Sequence, residues 1–310
     1  MTQQATVNPW SDDDNSVFLR LRMKTFWNFD YFERIILPLL DLPQSGRVLD
    51  VGCGNGGISL LLADLRPDLQ ILGVDFEPKP LEDASTYAVR NGLKNLTFEQ
   101  GDAHNLKYKD VSFDGVLCQT VLTHVRDAQA VVKEMKRVLK RGGVFFAAEY
   151  TNSAMANYDN VHFDKRDEDW YREYYRINLL FMKGKKALGR GDDTIGVRVP
   201  LLATQAGLDV YDVRLNDRAM HGFPPYRHEK QRNYLELVKT ANAAETDDKW
   251  ERLTIETVIA GGGTEEDGRW FHHAIDSAGI VHAIEEGTFT ATGSFPLYLT
   301  FAKKHPGHVL

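Results

Sequence analysis

Apolar residues along this chain follow two rhythms. Short runs such as Val48-Leu49, Ile71-Leu72-Gly73-Val74, Val116-Leu117-Cys118 and Val144-Phe145-Phe146-Ala147-Ala148 read as buried strands. Between them the spacing changes to three and four residues. Ile58, Leu61, Leu62 and Leu65 line one face of a helix that Pro67 ends, and Val131, Met135, Val138 and Leu139 line a second that Gly142 and Gly143 close before Val144. Leu96-Thr97-Phe98-Glu99-Gln100 alternates as a strand does. Strand and helix alternate regularly up to residue 150, which predicts an α/β fold.

After residue 150 the pattern changes. Asp169-Trp170-Tyr171-Arg172-Glu173-Tyr174-Tyr175-Arg176, continuing through Leu179, Leu180 and Met182, predicts an amphipathic helix rich in tyrosine. Val199-Pro200-Leu201-Leu202 begins a helix that Gly207 stops, and a strand follows over Leu208–Val213. Residues 221–293 predict a helical insertion, with Trp250, Leu253, Ile255, Val258 and Ile259 in one segment and Trp270, Phe271 and Ile275 in another. Ser294–Phe301 reads as the last strand. At the other end, Phe26, Trp27, Phe29, Tyr31, Phe32, Ile35, Ile36, Leu39 and Leu40 require a partner surface, and the expectation is that they pack over the mouth of a site.

That site is announced by Val48-Leu49-Asp50-Val51-Gly52-Cys53-Gly54-Asn55-Gly56. A strand ending in a glycine-dense turn lets backbone N–H groups and a helix N-terminus approach a nucleotide-bearing ligand, because glycine has no Cβ to hold it off. Gly52, Gly54 and Gly57 also satisfy the G-x-G-x-x-G dinucleotide fingerprint, with Asp75 at about the distance of its ribose-binding acid. The turn alone leaves a nicotinamide cofactor and a methyl donor open. Asp75 ends the second strand, and Gly101-Asp102-Ala103 follows the third at the edge where open α/β sheets collect ligands. Asp102 stands where a carboxylate can accept from an adenine amino group.

With Asp50, the glycine turn, Asp75, Gly101-Asp102 and Phe113–Gln119 in this order, the chain resembles the class I S-adenosylmethionine-dependent methyltransferases, in their ubiquinone/menaquinone-type small-molecule branch. The resemblance covers residues 40–150 strongly and 195–215 and 294–304 more weakly. It implies a Rossmann-like, doubly wound seven-stranded sheet with an antiparallel last strand, capped by helical insertions. It implies S-adenosyl-L-methionine as cofactor, with Asp50 organising its amino-acid end, where a dinucleotide fold would continue an apolar strand. On the same ground Gly52, Gly54 and Asn55 approach the methionine part, Asp75 takes the ribose hydroxyls, Phe76 lies against adenine, Asp102 and Ala103 meet the adenine edge, and Gln119 stands beside the methionine group. The implied organisation is an N-terminal helical lid (1–41), a cofactor-binding core (42–150), a first cap insertion (151–195), core again (196–220), a second cap insertion (221–293) and the last core strand with the C-terminus (294–310). If the lid folds over the site, Arg22 can pair bidentately with the cofactor's carboxylate.

Composition narrows the partners. A chain of 310 residues with 43% hydrophobic content buries a full core. No stretch reaches the roughly 20 apolar residues of a membrane span, and the first residues carry no secretory pattern. Two cysteines imply no disulfide framework, so a cytoplasmic protein is expected. A net charge of −7 argues against a nucleic-acid partner, whose phosphates favour a basic surface. No metal-ligand spacing occurs.

Methyl transfer from a sulfonium needs alignment and exclusion of water, and a base only when the acceptor must lose a proton early. His124, Glu149 and Tyr150 follow the fourth and fifth strands and are the candidate catalytic groups. Tyr171, Tyr174, Tyr175 and His221 sit in or beside the cap as candidate acceptor ligands. An aromatic cap of over a hundred residues suits a small or medium organic acceptor. Two alternatives stand beside it: a methyltransferase of RNA or protein, and a cofactor-binding scaffold without activity. Gln119-Thr120-Val121-Leu122 lacks the Asn/Asp-Pro-Pro-aromatic motif of base methylation, and the intact glycines and Asp75 argue against a scaffold.

Overall fold

The computed structural model describes residues 28–152, 157–244 and 248–305. It begins with a helical stretch composed of α1 (Phe29–Tyr31), a π-helical segment (Phe32–Ile36) and α2 (Leu37–Leu40). Then come β1 (Gly46–Val51), α3 (Gly57–Leu65), β2 (Leu69–Asp75), α4 (Pro78–Arg90), β3 (Leu96–Gln100), β4 (Phe113–Gln119), α5 (Ala128–Val138) and β5 (Leu139–Tyr150). The first insertion holds β6 (Asn157–Asp159) and α6 (Glu168–Ala187); a 3-10 turn (Gly196–Arg198), α7 (Val199–Gln205) and β7 (Asp209–Leu215) return to the core. The second insertion holds β8 (Ala219–Gly222), α8 (Glu229–Ala244), α9 (Asp248–Ala260), α10 (Glu265–Ala274), α11 (Ser277–Glu285) and β9 (Ala291–Ser294), and β10 (Leu297–Lys303) completes the sheet.

Seven strands form one sheet in the order β3-β2-β1-β4-β5-β10-β7. β1 pairs in parallel with β2 and β4, and the outer pairs β2–β3 and β4–β5 are parallel too. β10 is antiparallel to both β5 and β7, so β7 runs with β5. The expected seven-stranded sheet with its antiparallel strand is therefore present. All six parallel-running strands end on one edge, at Val51, Asp75, Gln100, Gln119, Tyr150 and Leu215.

Side-chain alternation divides the core between the two faces. Leu49, Val116, Phe145 and Ala302 join Val131, Met135 and Val199 on one face. Val48, Leu117, Phe146 and Phe301 join Ile58, Leu62, Phe32, Ile36 and Leu40 on the other. Phe32, Ile36 and Leu40 recur every four residues and are fully buried, so they make a stripe that fits the sheet. Tyr211 donates to Leu39 O at 2.7 Å and Tyr31 to Leu215 O at 2.9 Å, so the stretch runs opposite to β7 and starts at the strands' C-terminal edge. This corrects the expected lid: residues 29–40 cover a sheet face instead of a mouth, and residues 1–27 lie outside the described residues.

Two other expectations change. The helix predicted to close at Gly142 ends at Val138, because the Lys304 ammonium donates to Lys136 O and Leu139 O, both at 2.7 Å, and satisfies the terminal carbonyls. Gly142, at φ +75°, instead lies within β5, where the pairing with β4 shifts register, and donates to Lys304 O at 2.6 Å. The second insertion is also not wholly helical. β8 and β9 pair with each other and β9 with β6 in a separate sheet, so Ser294 belongs to β9 and the last core strand starts at Leu297. Its apolar core comprises Val161, Met220, Tyr234, Leu235, Ile280, Phe289 and Ala291. α6 packs on α9 backbone to backbone, and a Cβ at Gly184 would run into Thr257 O. No helix among the described residues is long and apolar enough to cross a membrane.

Candidate active site

The turn after β1 is fastened to the end of β2. Gly52 N and Cys53 N both donate to Val74 O, at 2.7 and 3.0 Å. Gly52 and Gly54 adopt φ of +67° and +52°, which L side chains rarely take. A Cβ on Gly52 would strike Val121, whereas nothing lies within 4 Å of the Cβ position on Gly54. Gly54 N donates 2.7 Å to Asp75 Oδ2, and Glu77 N donates 3.0 Å to Oδ1. Each oxygen keeps further lone-pair capacity. Burial raises the Asp75 carboxyl, and these backbone donors pull it back. Phe76 follows with 65% of its surface exposed, an unusual state for a large aromatic beside a half-buried acid.

Asp50 differs from expectation. It is 2% exposed and accepts 2.6 Å from Ser59 Oγ, so it ties β1 to the first turn of α3 from behind the glycine turn. Burial pushes its carboxyl up to about 7, opposed by the Ser59 hydrogen bonds and reinforced by the nearby Asp75 charge. Asn55 is buried in the same turn. Asp102 is exposed after β3 and accepts from His104 N at 2.8 Å, while Ala103 packs on the core. Burial raises the Cys53 and Cys118 thiols well above the ordinary range, which leaves them unreactive.

The second half of the edge is built by β4 and β5. Gln119 is buried at the end of β4, and Thr120 takes φ +52° while donating to Ala148 O at 2.9 Å. A β-branched residue at positive φ is a strained backbone position. The strain is held by Glu149, fully buried, whose carboxylate accepts from Val121 N at 2.8 Å, Leu122 N at 2.9 Å and Thr123 N at 3.3 Å. Glu149 is thus turned into the loop backbone. The Tyr150 hydroxyl donates to Asp193 Oδ1 at 3.1 Å, and the same oxygen meets the Lys185 ammonium from the end of α6. Asn152 N donates to Asp193 O at 2.8 Å. The His124 ring lies 6.4 Å from the Tyr150 ring.

Gly54, Asp75 and Phe76 therefore gather at the β1–β2 end, and Gln119, His124 and Tyr150 at the β4–β5 end of one edge. The cap candidates stand apart. Tyr171 and Tyr174 pack with Trp170 and Phe271 near the start of α6, and Tyr175 is 61% exposed. Tyr171 lies fourteen residues from Lys185, about 21 Å along the helix at 1.5 Å per residue. His221 is exposed on β8 opposite Thr292. Arg22 lies outside the described residues. Asp193 and Lys185 were missed: Asp193 is a polar residue in an irregular stretch, and Lys185 is one of several lysines in the last turns of α6, so neither stands out by spacing.

Residues 43–185 match the family model described as a methyltransferase domain. With the sheet order and the glycine turn, residues 43–185 are thus similar to a methyltransferase domain. Among curated proteins it is similar to a sterol 24-C-methyltransferase of Aspergillus fumigatus, 35% identical over 129 residues, which span 41% of this chain and 34% of that protein. It is also similar to a demethylmenaquinone methyltransferase of Deinococcus radiodurans, 40% identical over 106 residues, which span 34% of this chain and 43% of that one. The chain thus covers less than half the length of either relative. Among solved structures, the YcgJ protein of Bacillus subtilis shares the fold at TM-score 0.52 and 20% identity, with 89% of this chain and 99% of that chain covered.

Proposed function

We propose that this protein transfers a methyl group from S-adenosyl-L-methionine to a small or medium organic acceptor. The observation that carries the reading is Asp75, a carboxylate pinned by Gly54 N–H and Glu77 N–H with acceptor capacity to spare, beside the exposed Phe76 ring and the open side of Gly54. These residues fit an adenosyl group: a vicinal diol needs a fixed acceptor, and a purine needs an apolar face. Asp102 and Ala103 would meet the adenine edge, and Gly52, Asn55 and Gln119 would line the methionine part. Asp50, being buried, would act by shaping the turn. The relatives named for sterol and demethylmenaquinone methylation favour a small-molecule acceptor.

When bound, the cofactor supplies a methyl group already activated on a sulfonium. The chain's task is then alignment of the acceptor and exclusion of water. His124 and Tyr150 are the side chains we assign to the acceptor side. Tyr150 directs its proton to Asp193, which fixes the phenol's orientation, and Glu149 serves as the brace of the loop carrying His124. The finer domain bounds proposed are those drawn above, with residues 1–41 divided where the helix at Phe29 begins, the second insertion running from β8 at Ala219 to β9 at Ser294, and the last core strand starting at Leu297.

The test is calorimetric titration of the purified chain with S-adenosylhomocysteine and with NADH. Saturable binding of the former alone is expected. Binding of NADH alone would overturn the reading.

A further inference from the structure

Arg218 follows the end of β7 by three residues, at the same edge as Gln119 and Tyr150. It is 9% exposed. A guanidinium carries five N–H donors and no acceptor. Here one donates to Asn28 Oδ1 at 2.6 Å, while Nε is enclosed without a partner. No carboxylate among the described residues lies within ion-pair distance of Arg218. The adjacent Asp217 accepts instead from Asn28 Nδ2 at 2.7 Å. Lys230, from the first turn of α8, donates 3.0 Å to the same Asn28 Oδ1. Two cations thus converge on one neutral amide oxygen.

Arg166 also has an enclosed Nε without a partner, but it is less buried than Arg218, and several other arginines are paired with carboxylates. Arg137 is forked onto Glu134 and Asp110, Arg176 onto Glu173 and Asp267, and Arg190 reaches Glu256, although each is more exposed than Arg218. A cation taken out of water without a counter-charge is costly. Burial lowers the Arg218 pKa, and only the neighbouring charge of Asp217 opposes it. Among the described residues, Asp217 is the one carboxylate whose charge bears on Arg218, and its oxygen is turned to Asn28 Nδ2 and not to either of the two cations.

We propose that Arg218, assisted by Lys230, binds an oxyanion, carboxylate or phosphate, carried by the methyl acceptor. The proposal rests on the methyltransferase reading for the identity of that molecule. A guanidinium suits such groups because two of its N–H bonds match their two oxygens. The sheet order places β7 three strands from β4, about 14 Å at 4.8 Å per strand. The acceptor is then an extended molecule, with its anionic end near β7 and the atom that receives the methyl group towards β4 and β5.

The experiment uses the full chain labelled with nitrogen-15. The Arg218 Nε–H resonance, assigned by its loss in Arg218→Lys, is followed during titration with inorganic phosphate, with acetate and with sodium chloride at matched ionic strength. A saturable shift with phosphate, acetate or both is expected, and the preferred anion names the acceptor's end group. Lys230→Gln should weaken the anion about tenfold or less, roughly a single charge-assisted contact. Being a change of an exposed side chain, it also gives a result if Arg218→Lys folds poorly. Absence of a saturable shift, or the same shift with chloride, overturns the proposal. S-adenosylhomocysteine affinity measured on the same samples should be unchanged in both variants; its absence in the parent would sink the methyltransferase reading while the anion titration still decides Arg218.

Discussion

The two ends of the strand edge are built by different means. Around β1 and β2 the site is local: Asp50, Gly52, Gly54, Asp75 and Phe76 lie within 27 residues of one another, and backbone groups do most of the fixing. Around β4, β5 and β7 it is assembled from a distance. Thr123, Tyr150, Lys185 and Asp193 meet through side chains, as do Asn28, Arg218 and Lys230. A ligand common to many enzymes can be held by a contiguous turn. An acceptor peculiar to one enzyme is met by residues that insertions bring together.

This contrast can be broken or sharpened by substitution. The largest effect is expected for Glu149→Ala, which leaves the Val121, Leu122 and Thr123 N–H groups without their buried acceptor; at about 1–3 kcal/mol for each unsatisfied donor, a loss of roughly 3–9 kcal/mol should appear in urea denaturation. Glu149→Gln, retaining an acceptor oxygen, should lose much less. If Glu149→Ala were as stable as the parent, the distant end would not depend on its side-chain brace.

Asp50 gives a test of the local end. Its folded-state carboxyl stands at about 7 against an ordinary 3.8, so the folded chain holds a proton that the unfolded chain releases. The contribution is therefore full below about pH 4 and is lost as pH rises towards 7, on the order of 1 kcal/mol per pH unit at the steepest. Asp50→Asn should flatten that part of the stability–pH curve relative to the parent. Parallel curves would refute it.

Two smaller changes address the ligand. Asp75→Ala should weaken S-adenosylhomocysteine by about 1–3 kcal/mol, through loss of a fixed acceptor and a loosened Gly54. Phe76→Ala should weaken it by about 1 kcal/mol, the worth of one aromatic contact. Calorimetry measures both. If Glu149→Ala, in its folded fraction, weakened the ligand more than Asp75→Ala did, the division between the two ends would fail.

The sequence was most readable where signals are contiguous. The buried strands announce themselves as apolar runs, and the glycine turn and Asp75 as a spacing. The sheet β6-β9-β8 gave no such sign, since Ala219-Met220-His221-Gly222 and Ala291-Thr292-Gly293-Ser294 are short and mix small with polar residues. Helix ends misled where tertiary groups replaced local caps, as Lys304 does for α5. Asp193, Lys185 and Arg218 are single polar letters whose meaning depends on partners up to 190 positions away, as with Arg218 and Asn28.

The position of β10 between β5 and β7 bears on synthesis. β7 has no neighbour in the large sheet until Leu297–Lys303 has left the ribosome, and before then β5 offers a free edge that includes Phe145 and Phe146. Nascent chains stalled in the second insertion should accordingly be the aggregation-prone ones, and the ones a chaperone would hold.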